Sequence, residues 1–557
     1  MRNKSITQKQ VTKWVKENPN ATYEEMLKAL DPNSSVPNKT IGRLKDRFIK
    51  AHEDLMEDAP TVSIGGTLES PDLRRDKAQG RTFVFTSAQS NTLLHEKFFN
   101  GLLKYCKYKD AQLHISRFTY NKQGLSSKNS KVGSAISSDT DDTWFDPRIE
   151  PYVSDTSLEI TKDLVWCGEL NILPTRVNPI SGFKTYTRQA SSILPHAKMF
   201  MESIPTMKHD PVKMIYTTGA VTQRNYIQKA AGQKADFHHV FGALIVEVDE
   251  NDNWWVRQLN ADKEGSFYDL DVHVHATHGI EYPQYGVTTG NRVQAITHGD
   301  LHGNKLNSDI SSIVFDKTNG VLDMLKPYEQ YFHDTIDFQP RNHHNIKDTH
   351  FLHDMHCKGT SSVKEEFTKM GVFYITEAYR EWCKSYVVVS NHDVAINAWL
   401  KNKTALSDPV NVTDWYYLNY KAAKAREENS AFNPFSYWLH ENINEVAHWF
   451  DFKGDLPVIL EEDSSHKILD EIEAALHGHL GPNGARGTPR NLASAGKVNS
   501  GHTHSAGIFE GVYTAGVYGN LDMGYNKGLS SWSHSMVVTY KNAKRAILTI
   551  KNGKAWR

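Results

Sequence analysis

Five short clusters of carboxylate, amide and imidazole side chains stand in the C-terminal half of the chain, each directly behind an apolar run. Val293 to Thr297 leads into His298-Gly-Asp300-Leu-His302-Gly-Asn304, and Gln330-Tyr-Phe332 leads into His333-Asp334-Thr-Ile-Asp337. Tyr386 to Val389 leads into Ser390-Asn391-His392-Asp393, Ile472 to Leu476 into His477-Gly-His479, and Lys497 to Ser500 into Gly501-His502-Thr503-His504. Such residues bind divalent ions. Side chains two apart on an extended segment point the same way, so Asp300 and His302 can grip one ion. Asp334, at the end of a neighbouring strand, can bridge two ions with its two oxygens. Asn391 offers a neutral oxygen, and His477, His502 and His504 offer nitrogens, with His502 and His504 spaced so that one serves each metal. Mixed oxygen and nitrogen donors suit manganese, iron, zinc or magnesium far better than calcium.

The charge balance favours an anionic substrate. Two divalent ions and two carboxylates leave about +2 before a hydroxide binds. Ions about 3.5–4 Å apart would polarise a phosphoryl oxygen and supply a hydroxide at neutral pH for in-line attack. That chemistry is phosphoester hydrolysis. A single cluster such as Gly-Asp-x-His arises by chance in about one chain in ten of this length. The ordered set, each behind a strand, is a coincidence of roughly one in several thousand.

At these residues the chain resembles the calcineurin-like metallophosphoesterase superfamily, which includes protein phosphatases, phosphodiesterases and SbcD-type DNA nucleases. The resemblance covers residues 291–557. It implies a two-sheet α/β sandwich with a dinuclear site at the strand ends. One metal would be held by Asp300, His302, Asp334 and His504, and the other by Asp334, Asn391, His477 and His502. Manganese is the first expectation, with magnesium, iron or zinc as alternatives. His392 would stand beside the scissile phosphate without being a ligand, where an imidazole can protonate a leaving oxygen near pH 7. Asp393 would orient it. Two positions depart from the family pattern: His333 and Ser390 replace the glycines before Asp334 and Asn391. Both substitutions crowd a tight turn without removing a ligand. His479 is an alternative to His477, which is preferred because it directly follows the apolar run. Arg486 and Arg490, in a Gly-rich stretch, either bring cations to backbone phosphates or belong to a flexible loop.

The elements that hold these clusters fit a multidomain α/β protein. The chain has 557 residues, 64 Lys+Arg against 65 Asp+Glu, 27 histidines and 39% hydrophobic residues. This is an ordinary globular composition with no net charge to predict nucleic-acid or membrane binding. No apolar stretch approaches the ~18 residues of a membrane-spanning helix. The opening residues lack a signal peptide's apolar core, and the four scattered cysteines suggest free thiols in a reducing cytoplasm.

Residues 1–55 read as a small helical unit, in which Val11, Trp14 and Val15 share a face and Thr22 to Glu25 has capping-box spacing. Residues 1–50 carry 11 basic and 5 acidic side chains. With Lys39, Arg43, Lys45 and Arg47 on its third helix, the unit looks like a helix-turn-helix DNA-binding module. A packing or oligomerisation domain with a solvated basic face is the equal alternative. Residues 56–80 read as a linker and 81–290 as a mixed α/β domain of unknown role, with a mobile loop over 124–142. Asp271-Val-His-Val-His275 alternates as a strand with one polar face does, which outweighs a metal cluster. The histidines at 343, 344, 350, 353 and 356 read as a polar insertion lining a substrate groove, rather than as an extra zinc site with Cys357.

About 290 residues before the catalytic region favour a polymeric substrate, hence DNA. The overall layout also resembles the nucleases with which T-five-like phages degrade host DNA. That resemblance implies a manganese-dependent DNase in the infected cell's cytoplasm, as a homo-oligomer clamping duplex. Two other classes remain open. One is a phosphatase or cyclic-nucleotide phosphodiesterase with the same ligands, and the other is a non-enzymatic DNA-binding regulator with a degenerate domain.

Overall fold

The computed structural model describes residues 6–18, 23–30, 44, 45, 47, 48, 51, 75–120, 143–276, 286–342 and 345–557. It divides into two compact units, Met1–Arg74 and Arg75–Arg557. The expected loop at 124–142, Thr22, Lys39, Arg43, His343, His344 and most of the 56–80 linker lie outside the described residues.

In the smaller unit, Thr7 caps the helix Gln8–Glu17 in a reciprocal box with Gln10, satisfying donors that a helix start leaves free. Val11 and Val15 on that helix pack with Met26 of the helix Tyr23–Leu30 and with Leu44 and Ala51. Lys45 is exposed. Arg47 is not: its guanidinium donates to the Ile6 carbonyl at 2.5 Å, so this cation ties the unit together instead of facing outward.

The larger unit is α/β, built from three main sheets. A six-stranded sheet runs Val458–Leu460, Lys384–Val388, Glu329–His333, Ala295–Thr297, Ser535–Thr539, Arg545–Thr549, its first four strands parallel. Its inner strands are buried on both faces, as strands covered on both sides require, while Val458 on the edge strand is exposed. Ile296, Phe332 and Val387 face helices including Val363–Phe373 and Pro434–Trp449. Ala295, Tyr331, Tyr386 and Val388 face Ile468, Ile472 and Ala475 of an eleven-stranded sheet. The second layer of the sandwich is therefore that larger sheet, which includes Ile472–Glu473, Val498–Ser500, Gly507–Phe509 and Val512–Thr514.

The same sheet corrects the expected boundary at residue 290. Met201–Ile204 pairs antiparallel with Gly507–Phe509, joining Met201 to Ile508 and Glu202 to Gly507. Residues 81–290 and 291–557 thus share one sheet and one compact unit. A four-stranded sheet containing Thr82–Gln89, Gln112–Phe118, Gly242–Val248 and Trp254–Asn260 packs Phe83, Phe85 and Leu244 against the eleven-stranded sheet. Its other face is covered by the helix Glu96–Lys109. No helix among the described residues is long and apolar enough to cross a membrane.

Candidate metal centre

The two facing sheets deliver the clusters to one place. Asp300 and His302 follow Ala295–Thr297, Asp334 follows Glu329–His333, and Asn391 follows Lys384–Val388, all in the six-stranded sheet. His477, His502 and His504 come from the eleven-stranded sheet, behind Ile472–Glu473 and Val498–Ser500. The strand before His477 is shorter than its apolar run. The Glu473 carboxylate turns back to accept from the amides of His466, Ala474 and Ala475, and the strand ends three residues before the run does.

Ligand-type atoms of Asp300, His302, Asp334 and His504 all lie within 4.8 Å of one another, and all four residues are buried. His302 Nε2 is 2.9 Å from His504 Nε2 and 3.6 Å from Asp334 Oδ2, and His504 Nε2 is 3.3 Å from Asp300 Oδ2. His477 Nε2 lies 3.5 Å from the same Asp334 oxygen, on which two rings therefore converge. Asp300 Oδ1, Asp334 Oδ1, Asn391 Oδ1 and His477 Nε2 are buried without a hydrogen-bond partner among the described residues. A folded protein rarely leaves such atoms unanswered, because each costs about 1–3 kcal/mol. Asp300 groups with Asp334 in one set of ligand-type atoms and with His477 in another, and a divalent ion is a group that would satisfy such atoms.

Electrostatics agree. Burial, and then the charge of Asp334, push the Asp300 carboxyl well above the usual range. Burial opposes ionisation of Asp334 as well, yet His477, His392 and His302 hold it well below. Burial keeps His477 and His504 neutral and lowers His502, so their nitrogens keep the lone pairs that ligation needs. Burial also disfavours charge on His302, but Asp337, Asp334 and Asp300 together lift it to about 9.

The backbone is bent to make this arrangement. His302, Asp334, His502 and His504 have φ of 50°, 46°, 71° and 57°, a left-handed region that costs a side-chain-bearing residue energy and concentrates at functional sites. Gly501 allows the approach of the two sheets, since a Cβ there would lie 2.1 Å from Asp300 Oδ1. The His502 amide donates to Asp300 Oδ2 at 2.7 Å across the same gap.

Other residues take roles that their spacing did not suggest. Asp393 does not orient His392. Its carboxylate accepts from Thr335 Oγ1, the Ile336 amide and the Ser390 amide at 3.0–3.1 Å, locking the Asp334 turn to the Asn391 turn. His392 stands beside the cluster, its ring 5.3 Å from that of His302 and its Nδ1 3.5 Å from the Asp337 carbonyl. Asp337 was not singled out by sequence. It accepts from His302 Nδ1 at 2.7 Å, the contact that fixes ring orientation and leaves Nε2 for a ligand. Its place three residues after Asp334 was the available signal. His333 is also more than a crowded turn. Its Nδ1 lies 3.3 Å from His477 Nδ1, and His333, His477 and Asp300 form a second group able to hold an ion. Ser390 Oγ accepts from the amides of His392 and Asp393 at 3.2 Å.

His479 is separated from His477 by its partner, donating toward Glu462 Oε1 at 2.8 Å. Arg486 is exposed but close enough for its charge to bear on His502, whereas exposed Arg490 has no tie to the cluster. His350, His353, His356 and Cys357 lie exposed on the helix Thr349–Cys357 and form no ion-binding group among the described residues. His273 lies on a strand, stacked 4.0 Å from Tyr268, as its alternating pattern implies.

The fold and site define an α/β protein with a buried carboxylate–imidazole cluster fit for metal. The chain is 37% identical over 486 residues to Protein A1 of Escherichia phage T5, covering 86% of this chain and 83% of that protein, and it belongs to that family. No family model and no solved structure matches it.

Proposed function

We propose that the chain is a metal-dependent DNA nuclease of the metallophosphoesterase type, acting in the host cytoplasm during infection by a phage of the T5 kind. One observation carries the reading: buried ligand atoms of Asp300, Asp334 and His477 stand without partners in groups able to hold an ion, behind strands that end at one site. Membership in the family of a T5 phage protein supports the phage setting.

Bound divalent ions, manganese first, would neutralise phosphoryl charge and supply an activated water at neutral pH. Asp300, His302, Asp334 and His504 would hold one ion, and Asp334, Asn391, His477 and His502 a second. Asp337 keeps His302 in the tautomer that presents Nε2 to the centre. His392, with its ring 5.3 Å from that of His302, would donate a proton to the leaving oxygen. Arg486 at the rim would meet a backbone phosphate. In this reading the N-terminal unit adds affinity for DNA through Lys45, and assembly into a homo-oligomer would encircle the duplex.

The test is incubation of the purified chain with supercoiled and linear DNA, with manganese, magnesium or a chelator, beside His392→Ala and Asp334→Ala. Metal-dependent degradation lost in both variants is the expected outcome. Intact DNA together with rapid hydrolysis of a small phosphomonoester would replace the nuclease by a phosphatase.

A further inference from the structure

Next to the centre lies a cavity of about 540 Å³, within the range of small-ligand sites. Trp532 belongs to both. Its indole meets the His504 ring edge-on, with 4.3 Å between centroids, and it also lines the cavity. Trp254 and Lys551 line the same cavity, with Lys551 Nζ only 3.8 Å from the centroid of the Trp254 ring.

The charges in this cavity are unequally matched. Lys208 is paired with Asp522 at 2.9 Å, and His209 lies 3.7 Å from Asp210. Lys551 has no such pairing among the described residues: burial lowers its pKa to about 8, and Asp163, which also lines the cavity, acts on it only through space. A half-buried ammonium held against an indole suits a ligand with an anionic group and a flat aromatic group. Beyond Trp532 the aromatic surface continues to exposed Tyr525, 5.9 Å away, with Lys305 Nζ 5.0 Å from the Tyr525 centroid.

We propose that this cavity is a nucleotide subsite of the centre, taking one unpaired nucleotide of the strand being cut, its base against the Trp532 indole and its phosphate toward Lys551, which the Trp254 indole holds in place. The inference rests on the reading of the centre as a polynucleotide phosphodiesterase and narrows its substrate. A base inside a duplex cannot reach an indole without unstacking, which costs a few kcal/mol. The substrate class is therefore DNA with an unpaired nucleotide beside the scissile bond: single strands, gaps or frayed ends.

The experiment measures binding of a fluorescent oligothymidylate and of a blunt duplex to the full chain in chelator, by anisotropy. Wild type is compared with Lys551→Gln and Trp254→Leu. Manganese-dependent hydrolysis of bis(p-nitrophenyl) phosphate is followed in parallel as a measure of the centre alone. We expect each variant to weaken oligothymidylate binding by about tenfold, the order of one lost base-stacking or phosphate contact. Unchanged binding in Lys551→Gln overturns the inference, as does a wild type that prefers the blunt duplex. Trp254 is buried, so circular dichroism checks that its variant folds, and Lys551→Gln decides alone if it does not. A chain that hydrolyses the small diester but ignores oligothymidylate keeps the phosphoesterase reading and loses the subsite. One that binds oligothymidylate as described but hydrolyses no phosphoester keeps the subsite and loses the phosphoesterase.

Discussion

Arg257 lies between Glu247 and Asp269 at 2.7 and 2.6 Å, with the Tyr105 hydroxyl on Asp269 at 2.5 Å and Lys109 on Glu247 at 3.1 Å. Asp300, His302, Asp334 and His504 are buried as deeply in the same unit, yet two of their rings face each other at 2.9 Å and their carboxylates hold unpartnered oxygens. The first cluster sits on regular strands and a helix, and each charge has a counter-charge. The second sits on left-handed turns after the strands. The difference separates a cluster whose charges are matched within the fold from one whose unpartnered ligand-type atoms could hold a metal ion.

The sharpest way to break this comparison is through activity. Asp334→Ala should reduce metal-dependent DNA hydrolysis by about a thousandfold or more, while Asp269→Asn leaves the residual folded enzyme active. Comparable losses in both would erase the distinction.

Stability should respond in the reverse sense. Removing one partner of a buried ion pair costs about 3–5 kcal/mol, so Asp269→Asn should lower the urea midpoint strongly. Asp300→Asn, measured in chelator, should cost far less, because burial and the charge of Asp334 already disfavour an ionised Asp300. The Asp269 effect also has a pH signature. Burial raises the Asp269 and Glu247 carboxyls, but Arg257 wins and holds both below their usual values. Their contribution is thus present above about pH 4 and lost as pH falls through the lowered values, so the variant's deficit should shrink only in strong acid.

Added manganese at a hundred times its dissociation constant should raise unfolding stability by about 2.7 kcal/mol, read as a thermal shift that a chelator reverses. Asp300→Asn should abolish that shift and Asp269→Asn should keep it. The smallest effect is expected from Asp337→Asn, which leaves all ligands in place but frees the His302 ring. Manganese affinity should fall about 10- to 100-fold in isothermal titration, without loss of folding. An unchanged affinity would show that Asp337 belongs to the matched kind of cluster.

Asp300, His302, Asp334, His477 and His504 stood out as candidates because ligand chemistry depends on residue type, and the structure places them in groups able to hold an ion. Of the two histidines the sequence offered, His477 lies in such a group and His479 is bonded to Glu462, although the strand stops earlier than the run suggests. Asp337, His333 and the locking role of Asp393 were not legible, since their partners are set by where separate turns meet. The boundary at residue 290 failed because pairing of Met201 with Ile508 joins segments about 300 residues apart, which no local pattern reveals.

By itself the sequence determined the candidate donors, their order along the chain and the apolar runs in front of them, all of which follow from side-chain chemistry and short-range pattern. Only the tertiary structure decided that two sheets bring those donors to one point, that Gly501 lets Asp300 pass, and that Trp532 joins the centre to a cavity. These are matters of contact between residues remote in sequence, fixed by how buried faces pack.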